Sequence, residues 1–160
     1  MDEFLRSSHS AHDQRLSHTT LVMHRDFGAG PVGYFTLSND SIRLKTSEIS
    51  ELGLDDFGTL GSFPAVKLGR FAVNQALQGS GVGSYMLRFV EGSILDSEYR
   101  SAARLIVVDA VNRPDVRKFY ERNGYIVSLW AEDQQKNHGG IRGRNMKPET
   151  VKMIKDVFAK

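Results

Sequence analysis

The chain has no cysteine among its 160 residues. Disulfide bonds, thiolate nucleophiles and cysteine-based metal sites are therefore excluded, and any chemistry must use other side chains. No apolar run approaches the ~20 residues that a membrane-spanning helix needs, and residues 1–16 lack the apolar centre of a signal peptide. These absences predict a cytoplasmic protein without a membrane partner.

The chain also lacks a large excess of charge of either sign, because its 21 Lys and Arg residues nearly balance its 19 Asp and Glu residues and leave a net charge of +2. This balance falls well short of the basic footprint of a dedicated nucleic-acid-binding protein. Hydrophobic residues make up 40% and charged residues 25%, which is ordinary globular composition. The length suits one domain, residues 1–160, with a single core.

The first part of the chain predicts a helix followed by a hairpin. Residues 2–16 have a weak one-sided apolar pattern that predicts a surface helix. Residues 19–24 and 32–37 are β-rich runs joined by a turn with glycine and proline, which indicates an antiparallel hairpin. Residues 38–64 show no clear period, and we expect a partly ordered loop on the substrate side.

The remainder alternates strand and helix patterns, as in an α/β fold. Residues 65–73 and the apolar run 105–110 predict strands, and residues 84–96 predict a helix. Pro114 can open a second helix, and Gly124 can close it with a left-handed residue. The further predictions are a strand at 125–130, a polar loop at 133–140, an edge strand at 141–147 and a terminal helix at 148–158.

A glycine-rich loop, QGSGVG at 78–83, lies between a predicted strand and a predicted helix. Glycine allows tight turns and close backbone approach, and the first amides of the next helix carry partial positive charge, so the loop suits a pyrophosphate. A plain glycine-rich turn explains the pattern equally well. A Walker loop is excluded because Gly83 is followed by Ser84 rather than lysine, and the spacing is a poor match to a dinucleotide fingerprint.

Two blocks of sequence resemble the GNAT family of N-acetyltransferases. Gln78, Gly81 and Gly83 occupy the defining positions of its coenzyme A signature, Gln/Arg-x-x-Gly-x-Gly/Ala. VDA at 108–110 and KFYERNGY at 118–125 resemble its later strand and FYE-x-x-GF motif. The resemblance implies an α/β (α+β) three-layer fold with a mixed central sheet of about six or seven strands, flanked by helices and splayed at the coenzyme A site.

The resemblance also implies acetyl-CoA as cosubstrate and suggests which residues bind it. In the family, the strand before the loop contacts the pantetheine arm and the loop amides hold the pyrophosphate. The implied contacts are Phe71, Ala72, Val73, Gln78, Gly79, Ser80, Gly81, Val82, Gly83, Ser84 and Asn112. The family's asparagine stands one position later, where this chain has Arg113, so Asn112 could instead cap the helix that Pro114 opens.

Tyr120 is the implied catalytic residue, because the tyrosine of the FYE motif protonates the departing thiolate of coenzyme A in this family. The alternative is that Tyr120 is a core aromatic beside Phe119. The family usually begins with a further strand, so the resemblance also leads us to expect a shortened amino terminus.

The general base is harder to identify, since no acidic residue lies on residues 67–73. Asp109 at the end of a buried strand is a candidate, with a structural hydrogen-bond acceptor as the alternative; Glu48 and Glu51 are weaker candidates. His9 and His12 are three positions apart without a third ligand, so we predict no metal.

Three functions are compatible with the sequence. The first is acetylation of the primary amine of a small molecule or peptide, and the second is acetylation of aminoacyl-tRNA, since the motifs also resemble a toxin subgroup that acts on it. Basic residues for phosphate contacts would be Arg70, Arg88, Arg113, Arg117, Lys118, Arg142, Arg144 and Lys147. A noncatalytic coenzyme A-binding module is the third hypothesis, and the sequence allows a homodimer.

Overall fold

A computed structural model describes residues 16–28, 30–96, 102–138 and 148–158. The helix predicted for residues 2–16 lies outside the described residues except for Leu16, which is a bend, and the edge strand predicted for 141–147 lies outside them entirely. The strands are β1 (His18–Met23), β2 (Pro31–Ile42), β3 (Phe63–Val73), β4 (Leu105–Val111), β5 (Ile126–Val127) and β6 (Thr150–Asp156). The α-helices of the described residues are α1 (Thr46–Glu51), α2 (Val82–Leu95), α3 (Pro114–Arg122) and α4 (Leu129–His138).

The strands form a mixed, open sheet of six in the order β1-β2-β3-β4-β6-β5, flanked by helices. This arrangement confirms the predicted α/β fold class. None of the helices in the described part of the chain is long and apolar enough to span a bilayer.

The first compact unit comprises residues 1–39 and 66–100. The predicted hairpin is confirmed, since β1 pairs antiparallel with β2 from His18 opposite Leu37 onward. A Cβ at Gly33 would overlap the carbonyl oxygen of Ala72 and the sulfur of Met86, so glycine permits close packing at this point of β2. Helix α2 buries one face, formed by Val82, Met86, Leu87 and Val90.

The second unit comprises residues 40–65 and 101–160. The predicted central strand is confirmed, and the side chains of β4 are buried from Leu105 to Val108. The predicted terminal helix at 148–158 is wrong, because β6 is a strand that pairs antiparallel with both β4 and β5. Pro148 would suit the first turn of a helix, but pairing on two sides and burial of Met153 and Ile154 override that local preference.

The predictions for 125–130 and 133–140 are also wrong in part. Strand β5 has only two residues, and helix α4 follows it where a strand end and a polar loop were expected. The hydroxyl of Ser128 accepts a hydrogen bond from the amide of Ala131 at 3.3 Å, which caps the new helix. The carboxylate of Glu48, which is distant in the sequence, accepts hydrogen bonds from the first two amides of α4. No pattern in the local sequence predicts that contact.

Residues 38–64 are more regular than expected. Strand β2 continues to Ile42, and α1 and a 3-10 turn at Asp55–Phe57 follow. Apolar side chains of this stretch join one buried cluster with residues of β4 and β6, namely Ile42, Ile49, Leu54, Phe63, Ala65, Leu105, Val107 and Ile154. Residues 40–64 of this segment therefore contribute to the core of the second unit, where a partly ordered loop was expected.

Candidate functional site

The glycine-rich loop connects β3 to α2 through a 3-10 turn at Gln75–Leu77. Gly79 has φ 81° and Gly81 has φ 90°, both in the left-handed region that disfavours residues with a Cβ. A Cβ on either glycine would meet nothing within 4 Å, so the loop presents an open face. The backbone path, rather than crowding, requires glycine here.

Gly81 is the N-cap of α2 and supplies no side-chain hydrogen bond to the first turn. The amides of Val82, Gly83 and Ser84 begin the helix, where the macrodipole concentrates positive charge. The fold thus brings together all the loop residues predicted to hold a pyrophosphate. The arrangement can accept an anion through backbone amides alone.

Two polar side chains of the loop bond to backbone carbonyls that precede them, one at the end of β3 and one in the 3-10 turn. The amide of Gln78 donates to the carbonyl oxygen of Val73 at 3.4 Å, and the hydroxyl of Ser80 donates to that of Leu77 at 2.6 Å. Phe71, Ala72 and Val73, the predicted pantetheine contacts, are half-buried at the end of the strand. Gln78 and Ser80 therefore shape the loop through contacts with its own backbone.

Tyr120 lies in the last turn of α3 and is 6% exposed. Its ring makes edge contacts with Phe119 at 5.1 Å and Tyr125 at 5.3 Å, measured between centroids. Burial removes water from the phenol and raises the pKa of Tyr120 to about 12. The side chain is therefore neutral at ordinary pH and carries a proton that it can donate.

The end of α3 fixes the position of Tyr120. Gly124 has φ 84° and donates to the carbonyl oxygen of Glu121 at 3.0 Å, while the amide of Tyr125 donates to that of Tyr120 at 3.1 Å. These two bonds form a Schellman motif, which confirms the predicted helix end at glycine. The ammonium of Lys155 on β6 donates to the carbonyl oxygen of Asn123 at 2.9 Å and ties the turn to the sheet.

Asn112 precedes α3 but does not cap it, because the N-cap is Arg113 and no side chain caps there. That alternative for Asn112 is wrong. Its side-chain amide instead donates to the carbonyl oxygen of Pro148 at 2.9 Å. Its Oδ1 is buried and has no hydrogen-bond partner among the described residues. Asn112 lines a pocket of about 200 Å³ with Pro114, Arg117, Lys118 and Glu121, and its contact with coenzyme A stays a prediction.

The candidate bases are engaged in structural contacts. Asp109 on β4 forms an ion pair with Lys152, its cross-strand neighbour on β6, at 2.8 Å. Glu48 is 1% exposed, and its carboxylate accepts from the amides of Lys45 at 2.8 Å, Leu129 at 2.8 Å and Trp130 at 3.2 Å. Both arrangements favour the structural interpretation of these acids.

Helix α3 partly neutralises its own basic residues. The guanidinium of Arg113 donates hydrogen bonds to the carboxylate of Asp115, and these bonds, with the positive charge of Arg113, hold the pKa of that carboxyl below its usual value. Arg117 forms an ion pair with Glu121 at 3.8 Å. Arg142, Arg144 and Lys147 lie outside the described residues. His9 and His12 lie there too, and the described part of the chain contains no cluster of three His, Asp or Glu that could hold a metal.

A family model described as an acetyltransferase (GNAT) domain matches residues 17–127, which include the loop and Tyr120. The chain belongs to the GNAT acetyltransferase family. It is an acyl-CoA-dependent N-acetyltransferase that uses acetyl-CoA. No curated protein matches this acetyltransferase significantly in sequence.

Solved structures of toxin acetyltransferases share its fold. The AtaT toxin complexed with acetyl-methionyl-tRNAfMet is 17% identical, with a TM-score of 0.68 over 96% of this chain and 79% of that one. A tyrosine-to-phenylalanine mutant of KacT is also 17% identical, with a TM-score of 0.65 over 92% of this chain and 75% of that one. AtaTR bound with acetyl-CoA is 17% identical, with a TM-score of 0.56 over 92% of this chain and 71% of that one.

Two features of this acetyltransferase were missed by sequence reasoning. Glu48 caps α4 from 81 residues away, and nothing in the local sequence signals it. An exposed aromatic cluster formed by His24, Phe27 and Tyr85 lies in the same unit as the glycine-rich loop. The signal in the sequence for that cluster was Tyr85, an aromatic residue two positions after the loop motif.

Proposed function

We propose that this acetyltransferase transfers the acetyl group of acetyl-CoA to the α-amino group of an aminoacyl-tRNA. The observation that carries the proposal is the engagement of Asp109 and Glu48 in structural contacts, which leaves neither poised as a base. The AtaT toxin, a structural neighbour, is solved with acetyl-methionyl-tRNAfMet, and that product class agrees with the proposal.

The link between a missing base and this acceptor is the acidity of the amine. An ordinary α-amino group has a pKa near 7.7, so roughly a sixth of it is deprotonated at pH 7, against fewer than about one in a thousand for a lysine-like amine. An α-amino group beside an ester is less basic still, because the ester withdraws electrons. Such an acceptor can attack without a strong protein base.

The cosubstrate is proposed to bind through the segment from β3 to α2. Phe71, Ala72 and Val73 would contact pantetheine through the strand backbone. The pyrophosphate would lie against the loop and first helical turn, formed by Gln78, Gly79, Ser80, Gly81, Val82, Gly83 and Ser84. The open face at Gly79 and Gly81 and the uncapped amides of α2 support this assignment.

In the chemical step, the amine nitrogen attacks the thioester carbonyl carbon, the C–N bond forms and the C–S bond breaks. The nitrogen loses its proton to solvent, and the departing thiolate receives one from Tyr120. Burial raises the pKa of Tyr120 to about 12, and a thiol in a similarly dry setting also has a raised pKa, because desolvation disfavours both anions. A neutral phenol can thus donate to the thiolate as it develops.

A primary amine of a small molecule or peptide is the alternative acceptor. The net charge of +2 and the internal ion pairs of α3 favour it, since a tRNA-binding surface normally has a larger excess of cations. The exposed carboxylate of Glu51 would then be the remaining candidate base among those predicted.

The experiment that separates the acceptors is a transfer assay with radiolabelled acetyl-CoA. Charged tRNAs, the same tRNAs without an amino acid, short peptides and small amines would be supplied at equal concentration. We expect label on charged tRNA only, with a rate that falls steeply as salt rises. Label on peptides or small amines, with none on charged tRNA, would favour the alternative acceptor.

A further inference from the structure

Three aromatic side chains of the first unit form an exposed cluster near the start of α2. The rings of His24 and Phe27 are 5.0 Å apart, and those of His24 and Tyr85 are 5.5 Å apart, measured between centroids. Phe27 and Tyr85 are each 42% exposed. The ring planes of His24 and Phe27 meet at 53° and those of His24 and Tyr85 at 83°, so a flat ligand can stack on the face of one exposed ring and contact the edge of its neighbour.

The hairpin turn holds the first two rings of this aromatic cluster. His24 is the N-cap of a 3-10 turn at Arg25–Phe27, and its Nδ1 accepts a hydrogen bond from the amide of Asp26 at 3.3 Å. This hydrogen bond and the two ring contacts hold the His24 ring in place before any ligand arrives, which lowers the entropic cost of binding.

Tyr85 connects the aromatic cluster to the glycine-rich loop. Its amide donates to the carbonyl oxygen of Gly81 at 3.1 Å, so it lies one helical turn beyond the N-cap. Helical side chains lean toward the amino end of the helix, so the Tyr85 side chain leans toward the loop, whose face at Gly81 stays open. Arg25 and Arg88 are exposed and place positive charge on the hairpin turn and on α2.

We propose that the aromatic cluster of His24, Phe27 and Tyr85 is the stacking platform for the adenine ring of coenzyme A. The inference rests on the proposed pyrophosphate site in the loop, because in coenzyme A only a ribose separates the pyrophosphate from the adenine. A ligand anchored at the amides of α2 carries its adenine within reach of rings one turn away. The exposed guanidinium groups of Arg25 and Arg88 suit the phosphate on that ribose.

The test compares coenzyme A with 4′-phosphopantetheine, which lacks the adenosine part. Calorimetric titration of each into the wild type and Tyr85→Ala measures the contribution of the adenine. Removing one stacking ring should weaken coenzyme A binding about tenfold and leave 4′-phosphopantetheine binding unchanged. Phe27→Ala should show the same selective loss, and Tyr85→Phe should retain the wild-type affinity because its ring remains.

Phe89→Ala is the matched control, since Phe89 is a similarly exposed aromatic on α2, 47% exposed and one turn further along. It should change neither affinity. Tyr85→Leu, which keeps apolar bulk, replaces Tyr85→Ala if melting shows that the alanine variant is unfolded. An unchanged coenzyme A affinity in Tyr85→Ala, or an equal loss for both ligands, would overturn the stacking platform. Failure of the wild type to bind either ligand would instead overturn the proposed cosubstrate site, and the platform with it.

Discussion

Tyr120 is a buried phenol whose ring contacts those of Phe119 and Tyr125, and loss of water on burial governs its protonation. A group that stays neutral in the folded state until pH about 12 loses its proton earlier in the unfolded state, near its usual pKa of 10.0. The unfolded state is therefore favoured progressively between these two values, and stability is lost as the pH rises through that window.

Replacing Tyr120 with phenylalanine should remove this loss. The free energy of unfolding of Tyr120→Phe, relative to the wild type, should rise by up to about 3 kcal/mol between pH 10 and pH 12, because two pKa units correspond to that energy. Denaturant unfolding at several pH values measures it. Parallel stability curves across the window would contradict the raised pKa.

The same variant tests the proposed role in catalysis. Tyr120→Phe should lower turnover about 100-fold or more while acetyl-CoA affinity stays near that of the wild type, because the ring remains and only the proton donor is lost. Single-turnover rates isolate the chemical step. A wild-type single-turnover rate would leave Tyr120 with a structural role alone.

Asp109→Asn should behave as the loss of a cross-strand ion pair rather than of a base. Because the side chains of Asp109 and Lys152 are 34% and 26% exposed, we expect a cost of about 1 kcal/mol in unfolding free energy and an unchanged single-turnover rate. A double-mutant cycle with Lys152→Gln isolates the pair. A stable but inactive Asp109→Asn would show instead that Asp109 is the base.

At the scale of elements, two helices of this acetyltransferase begin in opposite ways. Helix α4 has its first amides satisfied by the buried carboxylate of Glu48 and by Ser128, so its positive end is already occupied. The N-cap of helix α2 is Gly81, which offers no side-chain hydrogen bond to the first amides. The start of α2 is therefore suited to an external anion, and the start of α4 is not.

Glu48→Gln should destabilise the protein through α4. The amide has one acceptor oxygen where the carboxylate has two, and its NH2 would face backbone donors, so we expect a loss of about 1 to 3 kcal/mol in unfolding free energy. Thermal unfolding provides the measurement. Glu51→Gln, an exposed acid on the same helix α1, is the control and should be neutral. Equal melting of Glu48→Gln and the wild type would rule out this capping role.

Ser84→Asp should separate helix stability from ligand affinity. Ser84 is in the first turn of α2, where a negative charge favours the helix dipole and should leave melting unchanged or slightly raised. The same charge should repel a pyrophosphate and weaken coenzyme A binding at least tenfold, as measured by titration. Ser84→Asn is the neutral control of the same size. Full affinity in Ser84→Asp would remove the start of α2 from the site.

At the scale of the whole molecule, cosubstrate binding should raise the free energy of unfolding. A ligand that binds only the folded state at 100 times its dissociation constant adds about 2.7 kcal/mol to the free energy of unfolding, which should raise Tm by roughly 5 to 10 °C for a chain of this size. Differential scanning fluorimetry with coenzyme A, and with adenosine as the control, measures the shift. No shift at saturating coenzyme A would contradict binding.

Local sequence signals predicted the elements whose hydrogen bonds join residues that are close together in the sequence. The β1-β2 hairpin, the turn from β3 into α2 and the Schellman end of α3 all close within a few residues, so glycine positions and apolar runs predicted them. The loop residues and Tyr120 were found the same way, because their motifs are contiguous. Their roles toward coenzyme A remain predictions to be tested by the variants above.

The sequence by itself thus determined the α/β class, the glycine-rich loop and the place of Tyr120, since each rests on spacing that a chain segment carries with it. Only the tertiary structure decided that residues 150–156 form a strand, because their two pairing partners lie far away in the chain. It also decided that α4 begins after β5, because the carboxylate that caps it comes from Glu48, 81 residues earlier. Contacts between residues so far apart in the sequence produce no periodic pattern in either local segment, so they can be identified only in the folded structure.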